Sequence, residues 1–343
     1  MEQGKEDVRL MRSTYTRRKH MMKVGILGAG GIARKMAATL NGMTDVTAYA
    51  IASRDIEKSR AFAAEFGIEK AYGSYEEMLS DDRVELVYIA VPHSHHHEWT
   101  IKALKAGRNV LCEKAFAANA AQAEEMIALS EEKGFLLAEA IWTRYMPSRR
   151  MIESIINSGE IGEVKCIDSN LGYRISQNKR LTDPALAGGC LLDLGVYNLN
   201  FSSMVTDAAV ATVDARMVPT ETGVDGQDSV TLTYENGIIS TMFNTMYALT
   251  DRRGLITGTD GFIVVENIND PERIRGYGPG GELKKDLTPP PQITGFEYQV
   301  LACKKAIEEK KTECEDMPHS EILKIMRLMD RIRQIYGIRF PFE

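Results

Sequence analysis

The stretch "MKVGILGAGGIARKMAATLNG", residues 22–42, is an apolar run that ends in glycines and resumes at helical spacing, with Ile32, Met36, Ala37 and Leu40 recurring before a stop at Gly42. It reads as strand, tight turn and helix. Within it Gly28, Gly30 and Ala33 match GxGxxA. In that context Gly28 makes the turn, Gly30 lets backbone approach a pyrophosphate, and Ala33 allows the helix to pack close on the strand. Ala29, Gly31 and Ile32 complete the loop, and the unpaired N–H groups of the helix start suit phosphate oxygens. A glycine-rich turn without a ligand is the plainer alternative; the position at the head of a domain favours a dinucleotide.

Working outward, strands and helices keep alternating. "VTAYAIAS", "VELVYIAV", "NVLCE" and "FLLAEAI" read as strands, separated by the helical stretches "RDIEKSRAFAAEFG", "HEWTIKALKAG" and "ANAAQAEEMIALSEEKG". Such βαβ units predict a doubly wound parallel sheet, a Rossmann domain over residues 22–142. Ligands then sit beyond the carboxyl ends of the strands. Lys114, directly behind "NVLCE", occupies one of those ends. At the tip of the second strand stand Ser53 and Arg54 where an NAD site usually carries an acid, so NADP is expected ahead of NAD. Arg54 capping a solvated helix start is the competing reading. Val91 and Pro92 shape the next turn, and "HSHHHE" follows. Its histidines lack a carboxylate or cysteine at ligand spacing, so the turn is assigned to the nicotinamide end of the cofactor and no metal is expected.

Residues 143–343 read differently. A helix, "SRRMIESIINSG", precedes strand-like runs with turn signals such as "ENG" and "GTDG" and no long helices between them. This predicts an α+β domain with an open, mostly antiparallel sheet, closed by two C-terminal helices. Inside it, "AGGCLLDLGVYNLNF" sets Asp193 and Tyr197 four apart, on one face of an otherwise apolar helix. A carboxylate near a helix start beside an unrelated core tyrosine explains the pair as well as a polar site does.

Composition bounds the function. With 343 residues, about two domains are expected; 44% hydrophobic residues, 26% charged residues and a net charge of -6 speak against nucleic acid and anionic membranes as partners. The five cysteines are scattered, without CxxC pairing, which fits a reducing compartment and the cytoplasm. Residues 1–21 carry a basic stretch but no apolar core of a signal peptide, and are expected to be a disordered extension or a misplaced start. No run approaches the roughly 20 apolar residues of a membrane span.

The order GxGxxA, a strand ending in Glu113-Lys114, "EAIWTRYMP" and "GGCLLDLGVY" resembles the Gfo/Idh/MocA oxidoreductases, and within them the branch of dimeric dihydrodiol dehydrogenases and NADP-dependent D-xylose dehydrogenases. The resemblance runs from Met22 to "GIRFP". It implies a homodimer through the C-terminal sheet, Lys114 as the catalytic lysine and Tyr197 as the acid/base, with Glu113, Val91, Pro92, His93 and His96 beside the cofactor. A lysine near the phenol would draw its pKa from about 10 toward working pH. Asp193 would orient a substrate hydroxyl or hold Lys114, and Trp142, Arg144 and Tyr173 would line a pocket for a sugar, polyol or trans-dihydrodiol, with Arg144 equally well read as a structural bridge between the domains. One departure stands out. Relatives read Glu-Lys-Pro, whereas this chain has Ala115; a non-proline cis bond costs about 2.5–4 kcal/mol, which favours a trans loop and a displaced Lys114. A nucleotide-binding regulator that has lost catalysis is the alternative this substitution suggests.

Overall fold

Apolar runs flanked by helical periods leave each strand of the first half covered on both faces. The computed structural model describes residues 20–343; the expected extension over 1–21 lies outside the described residues except for its last two positions. Strands β1 (Met22–Leu27), β2 (Val46–Ala52), β3 (Lys70–Tyr72), β4 (Leu86–Ile89), β5 (Asn109–Glu113) and β6 (Leu137–Ala140) form one parallel sheet in the order β3-β2-β1-β4-β5-β6. That order is the doubly wound arrangement with its switch point between β1 and β4. Every residue of β4 is buried, as a strand sandwiched between helices requires. The helix Gly31–Asn41 lays Ala33, Met36, Ala37 and Leu40 on the sheet. Asp55 caps the next helix, Ile56–Phe66, by accepting from the N–H groups of Glu57 and Lys58. The strand β3 and the short helix Tyr75–Leu79 were not anticipated, because elements of three and five residues are too short to show a period.

The second sheet has the order β14-β13-β12-β11-β7-β10-β9-β8. It is built from β7 (Val164–Gly172), β8 (Val210–Pro219), β9 (Asp225–Tyr234), β10 (Ile239–Thr245), β11 (Gly254–Gly258), β12 (Phe262–Glu266), β13 (Arg273–Tyr277) and β14 (Leu283–Leu287). Strands β7 and β10 pair in parallel, and the other neighbours are antiparallel. One face carries the wholly buried helix Val196–Ser203. The other is bare: along β10 Ile239, Thr241 and Phe243 are exposed while Ser240, Met242 and Asn244 are buried. None of the helices among the described residues is long and apolar enough to cross a membrane.

The stretch read as one α-helix is divided. Leu191–Gly195 is a π-helical turn, and α-helix begins at Val196. Ahead of it Gly189 holds φ +129°, and a Cβ there would lie 2.3 Å from Asp225 Oδ1. Asp225 in turn accepts a 2.5 Å hydrogen bond from the Leu191 N–H, tying the turn to β9. Gly189→Ala therefore meets both a forbidden φ and a clash. It is expected to lower unfolding free energy by roughly 2 kcal/mol or more in urea titrations; an unchanged midpoint would remove this anchor from the account.

Candidate active site

The carboxyl ends of β1, β4 and β5 open on a cleft of about 400 Å³, walled by the glycine loop, Pro92, Glu113 and Lys114 on one side and by Asn178, Arg180 and Asp193 on the other. A second hollow of about 360 Å³ shares Tyr75, Val91 and Pro92 with it and continues past Arg54, His95 and Trp99. The two together make a long groove across the switch point. Gly28 has φ +107°, and a Cβ on it would strike the Ala90 carbonyl oxygen at 2.5 Å, so the turn needs glycine. Above Gly30 and Gly31 a Cβ would meet nothing within 4 Å. This is the open cradle at a helix start that a pyrophosphate fits.

At the far end of the second strand the acid and the cation part ways. Asp55 is engaged as a helix cap, and Ser53 Oγ is turned inward, donating to the Asp55 carbonyl at 2.7 Å and bonded to Ser59 Oγ at 2.8 Å. Ser53 is thus corrected from a phosphate contact to a turn residue. Arg54 is exposed, borders the groove and has no ion partner among the described residues.

Lys114 points across the cleft. Its Nζ donates to Asp193 Oδ1 at 3.0 Å and to the Asp193 carbonyl at 2.7 Å, and lies 5.0 Å from the centre of the Tyr197 ring. Arg180 Nη2 reaches the same Oδ1 at 3.2 Å. With two cations on it, the Asp193 carboxyl is held well below the usual carboxylate range despite burial. Tyr197 Oη accepts a 3.2 Å hydrogen bond from Trp142 Nε1. Tyr173 stands near the phenol, and its hydroxyl accepts from Asn269.

Four expectations are corrected here. The Lys114–Ala115 peptide is cis, not trans; the loop is held by Phe116 N–H donating to Glu139 Oε1 at 3.1 Å and by His96 Nδ1 lying 2.8 Å from the Ala115 carbonyl oxygen. The Tyr197 phenol is not drawn down by Lys114: burial comes first, followed by the charges of Glu113 and Asp193, and together they push it well above its ordinary value. The lysine's charge is matched by Asp193 instead. His96 does not face the cofactor groove; its other ring nitrogen lies 2.9 Å from the Val91 carbonyl, so it is a buried brace between the two turns. His93 does line the cleft, with Nδ1 3.0 Å from the Ala187 carbonyl. Arg144 is turned away, buried, donating to Asn200 Oδ1 at 2.8 Å and paired with Glu321 at 3.0 Å. It braces Val196–Ser203 against the C-terminal helix His319–Tyr336.

Arg180, Asn178 and Tyr75 were missed. Nothing in "QNKRLTDPALAGG" marks an arginine as facing a carboxylate that stands 13 positions further on. Two buried acids lie behind the site. Glu113 receives the Tyr88 hydroxyl and the Lys114 N–H and is pushed up to about 7 by burial. Glu139, on the neighbouring strand, is likewise raised to about 7 by burial.

The chain is similar throughout to known oxidoreductases. Residues 22–140 match the model of an oxidoreductase family with an NAD-binding Rossmann fold, and residues 150–264 match the GFO/IDH/MocA C-terminal domain. It is 31% identical over 333 residues to trans-1,2-dihydrobenzene-1,2-diol dehydrogenase of Mus musculus, covering 93% of this chain and 98% of the relative. The counterpart of Xenopus tropicalis is 32% identical over 329 residues, covering 93% and 99%. Among solved structures, a 3-ketoreductase from Actinomadura kijaniata, in complex with TDP-benzene and NADP, superposes with TM-score 0.81 at 23% identity, over 92% of this chain and 97% of that one. Aldose-aldose oxidoreductase from Caulobacter crescentus gives 0.83 at 22% identity, over 93% and 98%. Both show the shared fold.

Glu139 carries a consequence for stability. Its folded pKa lies above its ordinary value of 4.5, so the native state holds more protons than the unfolded chain, and stability falls as pH rises from about 4.5 through about 7. Glu139→Gln still accepts the Phe116 N–H and cannot ionise. Thermal melts from pH 5 to pH 8 should decline less steeply in this variant than in the parent; parallel declines would contradict the assignment.

Proposed function

The chain belongs to the Gfo/Idh/MocA oxidoreductase family, and from that membership we propose that it moves a hydride between NADP and a secondary alcohol of a sugar, polyol or trans-dihydrodiol, or the matching carbonyl. The observation that carries this reading is the meeting of Lys114, from the end of β5, with Asp193 and Tyr197, from the other sheet's helical layer, at the mouth of the glycine-lined cleft. NADP, when bound, supplies the nicotinamide carbon that accepts or donates the hydride.

The residues divide the remaining work. Gly28, Ala29, Gly30, Gly31 and Ile32 wall the pyrophosphate stretch, and Arg54 is the cation for a 2′-phosphate. Tyr197, kept protonated by burial, donates a proton to the forming alkoxide in reduction and takes it back in oxidation. Lys114, steadied by Asp193, offers its third N–H to the substrate oxygen and stabilises negative charge there. Trp142 holds the phenol oxygen in place. The bare sheet face, with Ile239 and Phe243 on β10, is read as a homodimer surface, and unpaired cysteines suit a cytoplasmic protein.

The test is a panel of aldoses, inositols and dihydrodiols assayed with NADP and NAD in parallel. Lys114→Met and Tyr197→Phe should keep NADPH binding, followed by fluorescence, and lose about 10²- to 10⁴-fold in turnover; near-normal turnover in either would falsify the assignment. Arg54→Ala should raise KM for NADP by about tenfold or more and leave that for NAD nearly unchanged. Equal changes for the two coenzymes would assign Arg54 a different role.

A further inference from the structure

Lys35 stands half-buried on the Gly31–Asn41 helix, in a setting that its sequence neighbours do not explain. Its Nζ lies 4.1 Å from the centre of the Trp142 ring and 4.2 Å from that of Phe296, two rings that meet edge-on with centroids 4.9 Å apart. Among the described residues no oxygen accepts a hydrogen bond from it and no carboxylate pairs with it. Asp270, Glu113 and Glu297 act on it only at longer range, and burial pushes its pKa down. An ammonium drawn partly out of water with aromatic faces as its partners is a poor filler for that space; a methionine would pack there without the desolvation.

The indole beneath it donates its Nε1–H to Tyr197 Oη. A cation on the face of an aromatic ring is attracted by its π-electrons and polarises them, which leaves the ring's N–H a stronger donor. A stronger donor at Oη favours the phenolate over the phenol. We propose that Lys35 is a positioning residue for hydride transfer: acting through Trp142, it strengthens the hydrogen bond that stabilises the Tyr197 phenolate. The proposal rests on the reading of Tyr197 as the acid/base. No bond to Lys35 or Trp142 is made or broken. The proton leaving Oη passes to the substrate oxygen in reduction and returns from it in oxidation.

The other groups facing the phenol are Lys114 from the β5 end, Glu113 from β5, Tyr88 from β4, Asp193 from the π-helical turn and Tyr173 from the segment after β7; Glu113 also feels the Lys35 charge, and the double variant at Trp142 separates that route from the one through the indole. In Lys35→Met the ascending limb of the kcat/KM profile for alcohol oxidation should move up by about one pH unit, with about a tenfold loss at pH 7. In the reduction direction the descending limb should move up equally. Lys35→Arg, which keeps the cation, should restore the parent profile, and Lys35→Gln should reproduce the shift. Since the effect runs through Trp142, Lys35→Met combined with Trp142→Phe should be no slower than Trp142→Phe alone. An unmoved limb in both neutral variants, or additive losses in the double variant, overturns the proposal. Normal turnover by Tyr197→Phe is a separate result, since it overturns the acid/base reading itself.

Discussion

A buried ammonium has to be matched, and Lys114 is matched by a carboxylate that belongs to a different part of the fold. The Lys114 side chain is 13% exposed and that of Asp193 9%. Two charges so far out of water are stable together only with good geometry and additional hydrogen bonds, and losing one partner typically costs about 3–5 kcal/mol. Here the second acceptor is the Asp193 carbonyl and the second cation is Arg180. The parallel sheet and the helical layer of the second sheet are thereby held in one relative position at the cleft, with the Tyr197 ring against the same ammonium.

The segment bearing Asp193 is also held from behind. Asp225 accepts the Leu191 N–H, Asn198 donates to Asn244 at 2.6 Å, and Asn244 donates to Asp228 at 2.6 Å. Burial raises both aspartates, Asp225 to about 6; the charge of Asp225 further opposes ionisation of Asp228, whereas Asp228 favours the ionised form of Asp225. The network specifies a single placement for the turn, although Asn198 Oδ1 and Asp228 Oδ2 find no hydrogen-bond partner among the described residues. The π-helical turn it supports is wider than α-helix, so the four-residue spacing of Asp193 and Tyr197 does not stack them as it would in a regular helix. They meet instead around Lys114.

Electrostatics in the cleft follow from competition between burial and charge. A lysine beside a tyrosine suggests a lowered phenol pKa, but Lys114 is already neutralised by Asp193, and desolvation of Tyr197 then dominates. The phenol therefore stays protonated, and its ionised form needs help from the Trp142 N–H. Glu113 and Glu139 show the same dominance of burial, each raised to about 7 although cations stand nearby.

Fold class and the position of the groove are legible in the chain alone. Local periodicity, glycines that only a tight turn requires, and strand ends adjoining helix starts are short-range features, and they placed Gly28, Gly30 and Lys114 at the carboxyl ends of the strands. The chain also marked Asp193 and Tyr197 as polar residues in an apolar element. Tertiary structure alone decided what each of them touches: that Arg180 shares Asp193 with Lys114, that Arg144 and His96 are braces, that Ser53 turns inward, and that Ala115 follows a cis bond. These depend on contacts between residues as far as 177 positions apart, as for Arg144 and Glu321. Pattern within a chain records which face of an element is buried, whereas the partner met across an interface, and the depth at which a charge is left, are set only when separate layers pack.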